Sequence, residues 1–184
     1  MQRERENITH WVEEMALSNS QAALKSLYIA YFHRLMRFVG IYVSSPAEAE
    51  EVVSDTFLAL WDNRCALAGM TNIDAYIYTV ARNKAVSYYR KQTMENVSLD
   101  ESSIDFFAHT ETTPEEELIS REEIGRLNAA INSLPPKCRI AFKLVREDKL
   151  KYKDVASILD ISVKTLEAHL ASAVKKLRET LSRK

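Results

Sequence analysis

The chain has 184 residues, enough for one domain or two small ones, and its 46% of hydrophobic residues suffices for packed cores. Only 3 glycines and 4 prolines occur, which favours a helical protein. No run of about eighteen apolar residues appears and the N-terminus is charged, so we expect no membrane insertion and no secretory leader. Cys65 and Cys138 lie far apart without metal-ligand spacing, which predicts ordinary thiols in a reducing cytoplasm, with no metal and no cofactor.

Charge is distributed unevenly along the chain, although the net charge is only −1. Residues 1–92 carry 10 basic and 10 acidic side chains, and residues 93–120 carry 8 acidic side chains with no Lys or Arg. Residues 121–184 carry 15 basic and 8 acidic side chains. Each block therefore suggests a different partner, and the basic block suits nucleic acid.

The N-terminal block shows helical periodicity. One apolar stripe contains Leu24, Leu27, Tyr28, Tyr31, Leu35, Phe38, Val39 and Tyr42. A second helix is predicted to begin with Ser45 as N-cap, Pro46 at the first helical position and Glu48 in a capping box, and to run through Trp61. A loop over residues 62–72 then precedes a third helix over residues 73–92. Its expected buried side consists of Ile77, Val80, Ala81 and Tyr88.

The third helix also carries a polar, basic surface. Four basic residues lie within ten positions, with no acidic residue among them: Arg82, Lys84, Arg90 and Lys91. Tyr76, Asn83, Ser87 and Arg90 follow at spacings of seven, four and three, which places them on one face. Such a face can stack on an unpaired base, read its edge and hold phosphates. The alternative is a solvated basic helix whose tyrosines are core residues.

Residues 93–113 show no sustained period and are rich in Ser, Thr and acidic residues, so they are predicted to form a flexible acidic linker. The linker is either a solvated tether or a segment that competes with nucleic acid. Thr113, Pro114 and Glu116 then predict a helix start. Apolar residues of the following two helices are Leu118, Leu127 and Ile131, and then Cys138, Ala141, Phe142 and Val145 after the Pro135-Pro136 break.

The stretch from Tyr152 to Leu166 is typical of a helix-turn-helix, whose second helix enters the DNA major groove. The small Ala156 stands where two helices cross. Asp160 stands at the turn, where Gly is frequent, and Asp tolerates the left-handed backbone at modest cost. Ser162 is placed to cap the second helix. The buried stripe of that helix is predicted to contain Leu166, Leu170, Val174, Leu177 and Leu181.

These patterns predict an all-α protein of two small helical domains, with no strand and no internal repeat. The predicted boundaries are residues 1–92 for the first domain, 93–113 for the acidic linker and 114–184 for the second domain.

Two groups of motifs resemble a known family. Glu48–Trp61, followed by Ala81-Arg82-Asn83, is similar to region two of bacterial RNA polymerase sigma factors. Leu134–Arg139, Lys151–Ala156 and Ser162–Leu170 are similar to their region four. Because no region three lies between them, the chain resembles the extracytoplasmic-function (ECF) class. The resemblance covers about residues 20–92 and 115–182.

The resemblance implies a cytoplasmic transcription initiation factor that is not an enzyme. It would bind core RNA polymerase at the clamp coiled coil of the largest subunit and at the flap, bring it to promoter DNA and help to open the duplex. Residues expected to face the clamp are Glu51, Asp55, Phe57, Leu58 and Trp61, with the alternative that Phe57 or Trp61 is core. Family members are usually held inactive by an anti-sigma factor, and the free protein is expected to be monomeric.

For the minus-ten element, the resemblance implies contacts from the third helix and the Cys65–Asn72 loop. The candidate residues are Tyr76, Arg82, Asn83, Ser87, Arg90 and Lys91. Asn83 matches the family position that lines the pocket for a flipped base, whose unstacking costs a few kcal/mol. Relatives often carry Asp at the position of Ser87, which leaves any contact made through that Asp open in this chain.

For the minus-thirty-five element, the candidates lie on the recognition helix and just before the motif. They are Arg146, Lys164, Thr165, Glu167, Ala168, Ala171, Ser172 and Lys175. Glu167 could accept a hydrogen bond from a cytosine amino group, and Ala168 or Ala171 could contact a thymine methyl. The basic residues suit phosphates. His169 lies beside the apolar stripe and is predicted to be half-buried.

Two alternatives use other classes of protein. A conventional helix-turn-helix regulator with an N-terminal effector or dimerisation domain explains the last third of the chain but not the polar face of the third helix; it would bind operator DNA as a dimer. An enzyme acting on nucleic acid would need a Gly-rich phosphate loop, paired metal-binding carboxylates or a nucleophile and base, and the sequence shows none of these.

Overall fold

The computed structural model describes residues 2–95 and 118–182, with side chains described over residues 6–91 and 125–182. Every regular element in these ranges is an α-helix, which confirms the predicted all-α class. The chain divides into two compact units, Met1–Ser102 and Ser103–Lys184. The finer boundaries at residues 92 and 114 stay a prediction. Most of the predicted linker and the helix start at Thr113 lie outside the described residues.

The N-terminal unit contains five helices: α1 (Gln2–Ser18), α2 (Gln21–Val39), α3 (Pro46–Asp62), α4 (Arg64–Leu67) and α5 (Ile73–Glu95). Helices α2, α3 and α5 pack against one another, and α1 packs against α2 and α4. Their shared core includes the fully buried side chains of Met15, Leu27, Tyr31, Leu35, Leu60 and Ile77. These side chains recur at helical spacing, so each helix keeps one polar face outside the core.

The start of α3 has the capping box that the sequence predicts. The Ser45 hydroxyl accepts a hydrogen bond from the Glu48 backbone N–H at 3.2 Å, and the Glu48 carboxylate accepts one from the Ser45 backbone N–H at 3.1 Å. Two of the helix's unpaired N–H groups are thereby satisfied reciprocally. The capping box therefore sets the residue at which α3 begins. The start of the helix in turn sets which of its later residues face the core.

Several features of the N-terminal unit differ from the expectations. Helix α1 was not predicted, and the short α4 lies inside the expected loop over residues 62–72. Tyr78 and Ala85 are buried, whereas Val80 and Tyr88, expected in the core, are only half-buried. The rings of Tyr78 and Phe38 meet edge-on with centroids 5.1 Å apart, so the buried side of α5 includes a contact with α2 that helical periodicity did not predict.

The C-terminal unit contains α6 (Leu118–Asn132), α7 (Pro136–Arg146), α8 (Tyr152–Leu159) and α9 (Val163–Leu181). Helix α9 packs against each of the other three. One cluster of its core consists of Ala130, Ile131, Leu134, Cys138, Ala173 and Leu177. Arg139 is also buried and donates a hydrogen bond to the Asn132 carbonyl at 2.8 Å, which closes the end of α6.

The turn between α8 and α9 has the predicted geometry. Asp160 adopts a left-handed backbone with φ 56° and ψ 49°, and the Ile161 N–H donates to the Ala156 carbonyl at 3.0 Å. Ser162 caps α9 by accepting from the Thr165 N–H at 3.0 Å. Ala156 is buried, as the close crossing requires. These features confirm the helix-turn-helix interpretation of this stretch.

The predicted apolar stripe of α9 is wrong at two positions. Val174 and Leu181 are 39% and 46% exposed, although both were expected in the buried stripe. On α9 the buried line runs through Leu166, Leu170, Ala173 and Leu177. The line follows 3.6 residues per turn, so it reaches the small Ala173 rather than its larger neighbour Val174.

Candidate nucleic-acid interface

The outer face of α5 carries most of the side chains proposed for the minus-ten element. Asn83, Ser87, Arg90 and Lys91 are exposed, and Tyr76 is half-buried. The other tyrosines of the helix differ among themselves, because Tyr78 is fully buried whereas Tyr89 is 49% exposed. A polar and basic surface with an amide at Asn83 therefore faces solvent, and only Tyr78 fits the interpretation of these tyrosines as core.

Arg82 is the exception on this helix, because it is half-buried and hydrogen-bonds the side chain of Tyr42. Burial raises the pKa of the Tyr42 phenol above its ordinary value, and the charge and hydrogen bond of Arg82 offset only part of that rise. The pair ties α5 to the segment that follows α2. Arg82 thus has an internal role that the sequence pattern did not reveal.

The beginning of α5 is anchored by polar contacts. The hydroxyl of the buried Tyr31 donates a hydrogen bond to the carboxylate of Asp74, which joins α2 to the first turn of α5. The Asn72 side chain accepts from the Ala75 N–H at 3.3 Å. Immediately upstream, Gly69 has φ +80°, a left-handed conformation that favours glycine. The loop predicted to help bind the minus-ten element therefore ends at a fixed point.

The outer face of α3 holds four of the five residues proposed to contact the clamp. Leu58 is 60% exposed, Glu51 and Asp55 are exposed, and Trp61 is half-buried. Phe57 is only 4% exposed, and its ring centroid lies 4.8 Å from that of Tyr28. Phe57 is therefore a core residue, the alternative given for it above, and the expectation of a surface contact is corrected.

Trp61 is held in place by Arg64, a residue that the sequence analysis did not single out. The Arg64 guanidinium carbon lies 4.7 Å from the Trp61 ring centroid, and the guanidinium donates to the Trp61 carbonyl at 2.8 Å. It also donates to the side chain of Asn19 at 2.6 Å. Contacts between residues 45 positions apart cannot be found from helical periodicity, which explains the omission.

An ion pair joins the outer faces of α3 and α5. The ammonium of Lys84 on α5 lies 3.9 Å from the carboxylate of Asp55 on α3, and the two side chains are 41% and 55% exposed. The sequence places Lys84 only within a basic run, because nothing in the pattern shows that Asp55 lies opposite it.

The recognition helix α9 presents its proposed contacts together. Lys164, Thr165, Glu167, Ala168, Ala171, Ser172 and Lys175 are all exposed, and so is Arg146 at the end of α7. An open groove brings Arg146 and Tyr152 beside Glu167, Ala171 and Lys175. Tyr152 and Val174, which also line this groove, were not predicted there. The face combines basic groups for phosphates with a carboxylate and two methyl groups for base edges.

His169 lies on the flank of α9 and is half-buried, as predicted. Its Nδ1 is 3.8 Å from the sulfur of the buried Cys138 on α7, so the imidazole contributes to the contact between the two helices. Cys65, on the short helix α4, is exposed. Within the described parts of the chain, no group of three or more His, Cys, Asp or Glu side chains could hold a metal ion.

Comparison with known families matches both units. Residues 27–94 match the model of sigma-70 region 2, and residues 124–177 match that of sigma-70 region 4, so the two regions together cover about two thirds of the chain. The class of protein defined by these regions is the RNA polymerase sigma factor. Across residues 2–95 and 118–182, no helix is long and apolar enough to cross a membrane.

Similar proteins of named function narrow the class. The ferric citrate uptake sigma factor FecI of Escherichia coli K12 is 23% identical over 164 residues, which cover 89% of this chain and 94% of FecI. The ECF RNA polymerase sigma-E factor of Salmonella typhimurium LT2 is 27% identical over 167 residues and 87% of each chain. The present chain belongs to the ECF class of bacterial RNA polymerase sigma factors. This confirms the predicted family.

Two solved structures share the fold. The sigma factor RpoE of Bartonella quintana, crystallised with the anti-sigma factor NepR, aligns with a TM-score of 0.63 and 23% identity, covering 86% of this chain and 96% of RpoE. CnrH, in complex with the cytosolic domain of CnrY, aligns with a TM-score of 0.59 and 20% identity, covering 95% of this chain and 97% of CnrH.

The half-buried Tyr42 phenol gives a pH-dependent prediction. Because its folded-state pKa is raised, the stability it contributes is present below the unfolded pKa of about 10 and is lost as pH rises through the folded pKa. Tyr42→Phe removes the hydrogen bond with Arg82 and should lower the free energy of unfolding by about 1 kcal/mol at neutral pH. The difference from the wild type should shrink above pH 10. Urea unfolding followed by circular dichroism measures both, and a difference independent of pH would contradict the assignment.

Proposed function

We propose that this sigma factor acts in the bacterial cytoplasm, and that each of the three exposed faces described above binds a different target. The outer face of α3 binds the clamp coiled coil of core polymerase, α5 with the Cys65–Asn72 loop binds the minus-ten element, and α9 binds the minus-thirty-five element. The protein acts through these contacts and catalyses no reaction of its own. The observation that carries the proposal is the exposure of Asn83 amid polar and basic side chains on α5.

On α5, the exposed Asn83 amide can hydrogen-bond the edge of an unpaired base, while Arg90 and Lys91 neutralise phosphates nearby. Tyr76, half-buried on the same face, offers an aromatic surface for stacking. Capture of a flipped base offsets part of its unstacking energy, so the helix would favour the opened promoter over the duplex. Arg82 contributes through Tyr42, by keeping α5 in position.

On α9, Glu167 and the methyl groups of Ala168 and Ala171 can contact base edges in the major groove. The side chains of Arg146, Lys164 and Lys175 reach phosphates on either side, where they add affinity with little sequence preference. Thr165 is hydrogen-bonded to the cap residue Ser162 at 2.8 Å, so its main contribution would be a rigid N-terminus for the helix.

One solved neighbour was crystallised with the anti-sigma factor NepR, and the other is in complex with the cytosolic domain of CnrY. By analogy, we propose that this chain is also held inactive by an anti-sigma protein, which would cover exposed apolar groups such as Leu58. A dimeric operator-binding regulator is not favoured, because it does not explain the match of residues 27–94 to sigma-70 region 2.

The polymerase contact is tested by truncating Leu58. Because burial of a leucine contributes about 1.5–3 kcal/mol, Leu58→Ala should weaken binding to core polymerase by about tenfold or more. Leu17→Ala is the matched control, since Leu17 is 83% exposed on α1 and lies outside the proposed interface. Competition between labelled and unlabelled protein for core polymerase measures both affinities. Equal affinities for the two variants would argue against the α3 interface.

The melting function is tested at Asn83. Asn83→Ala should reduce open-complex formation on a duplex promoter by about tenfold, because one hydrogen bond to the captured base is lost. Binding to core polymerase should be unchanged, which serves as the internal control for folding. Permanganate footprinting of unpaired thymines measures the opened fraction. Unchanged opening by the variant would remove Asn83 from the minus-ten contact.

A further inference from the structure

The ion pair between Asp55 and Lys84 links a residue of the clamp-facing surface to the helix proposed to open DNA. The ammonium and the carboxylate are 3.9 Å apart, and both side chains are about half exposed, so each can be reached by a second partner. Lys84 directly follows Asn83 on α5. A phosphate beside a base bound at Asn83 would therefore lie within the neighbourhood of a long, flexible lysine side chain.

The backbones that carry the pair are held firmly. Ala81 and Ala85, on either side of Lys84 in sequence, are fully buried, and so is Thr56, next to Asp55. The Thr56 hydroxyl donates to the Val52 carbonyl at 2.8 Å, so that side chain is satisfied within its own helix. The two charged side chains can therefore change partners without any movement of α3 or α5.

We propose that Asp55 restrains Lys84 in the free protein, and that docking of polymerase on Asp55 releases Lys84 to bind a phosphate of the opened promoter strand. The proposal rests on the proposed function of α3 and α5. In the free protein the carboxylate competes with phosphate for the ammonium. Once a basic group of the clamp takes over Asp55, this competition ends and α5 gains one cation for DNA.

The size of the effect follows from the exposure of the pair. A half-exposed ion pair changes an equilibrium by about two- to fivefold. Binding free energies are reciprocal. The factor by which bound polymerase raises the affinity for DNA therefore equals the factor by which bound DNA raises the affinity for polymerase. The pair thus makes DNA binding modestly dependent on polymerase, in the direction that keeps the free protein off nucleic acid.

The test measures the free, full-length protein with a fluorescein-labelled single-stranded 12-mer, of about one minus-ten element, at low salt. Its sequence is the non-template strand of a promoter that the wild-type protein uses with core polymerase. Asp55→Asn should bind this DNA about two- to fivefold more tightly than the wild type. The salt dependence of log Kd should steepen by about 0.7, as expected for one more phosphate contact on a single strand.

Glu50→Gln is the matched control. It removes the same charge from the same helix, but Glu50 is near Tyr28 of α2, whose pKa is raised by burial and then by the charge of Glu50, and not beside Lys84. It should leave Kd within the small change expected from net charge. Lys84→Gln combined with Asp55→Asn should abolish the gain of the single variant, because the released cation is then missing.

Equal affinities of Asp55→Asn and Glu50→Gln would overturn the proposal, and so would a gain that persists in the double variant. These outcomes are distinct from failure of the proposed function. That function fails if the wild-type protein gives no polymerase-dependent transcription starts, whereas the coupling fails if the wild type initiates normally and the variants bind DNA alike.

Discussion

The packing of α3 against α5 is the contact on which the N-terminal unit depends. The two helices pack against each other, and both contribute small residues to the core: Ala49 on α3 and Ala81 and Ala85 on α5. Because each helix commits one face to this contact and to the rest of the core, its opposite face is left for partners. In the function that we propose, polymerase and DNA bind these two neighbouring faces, which the ion pair between Asp55 and Lys84 connects.

In the C-terminal unit, the recognition helix combines a long exposed polar face with a small buried core. Helix α9 is buried along one narrow line and exposed elsewhere. Its N-terminus is fixed by the left-handed Asp160 and the Ser162 cap, which set the direction of the helix after α8. The turn and the cap thus orient α9 although little of it is buried. The charge of +7 over residues 121–184 attracts this unit to DNA.

Local rules predicted those parts of the structure that local chemistry determines. The capping box at Ser45, the turn at Asp160 and the polar face around Asn83 each depend on residues within a few positions of one another. Contacts between distant residues were missed: Arg64 with Asn19, Arg82 with Tyr42, and Asp55 with Lys84. The predicted apolar stripe was also too wide where only a narrow side of a helix is buried, as at Val174. Apolar periodicity predicts which side of a helix is buried, but not which residue each side chain contacts.

The most direct measurement is in vitro transcription with the purified protein, bacterial core polymerase and a pool of genomic promoter fragments, followed by mapping of RNA 5′ ends. The sigma-factor account predicts starts at a limited set of sites that depend on the added protein and share two sequence elements upstream. Absence of added starts, together with tight binding of the protein alone to duplex DNA as a dimer, would contradict it.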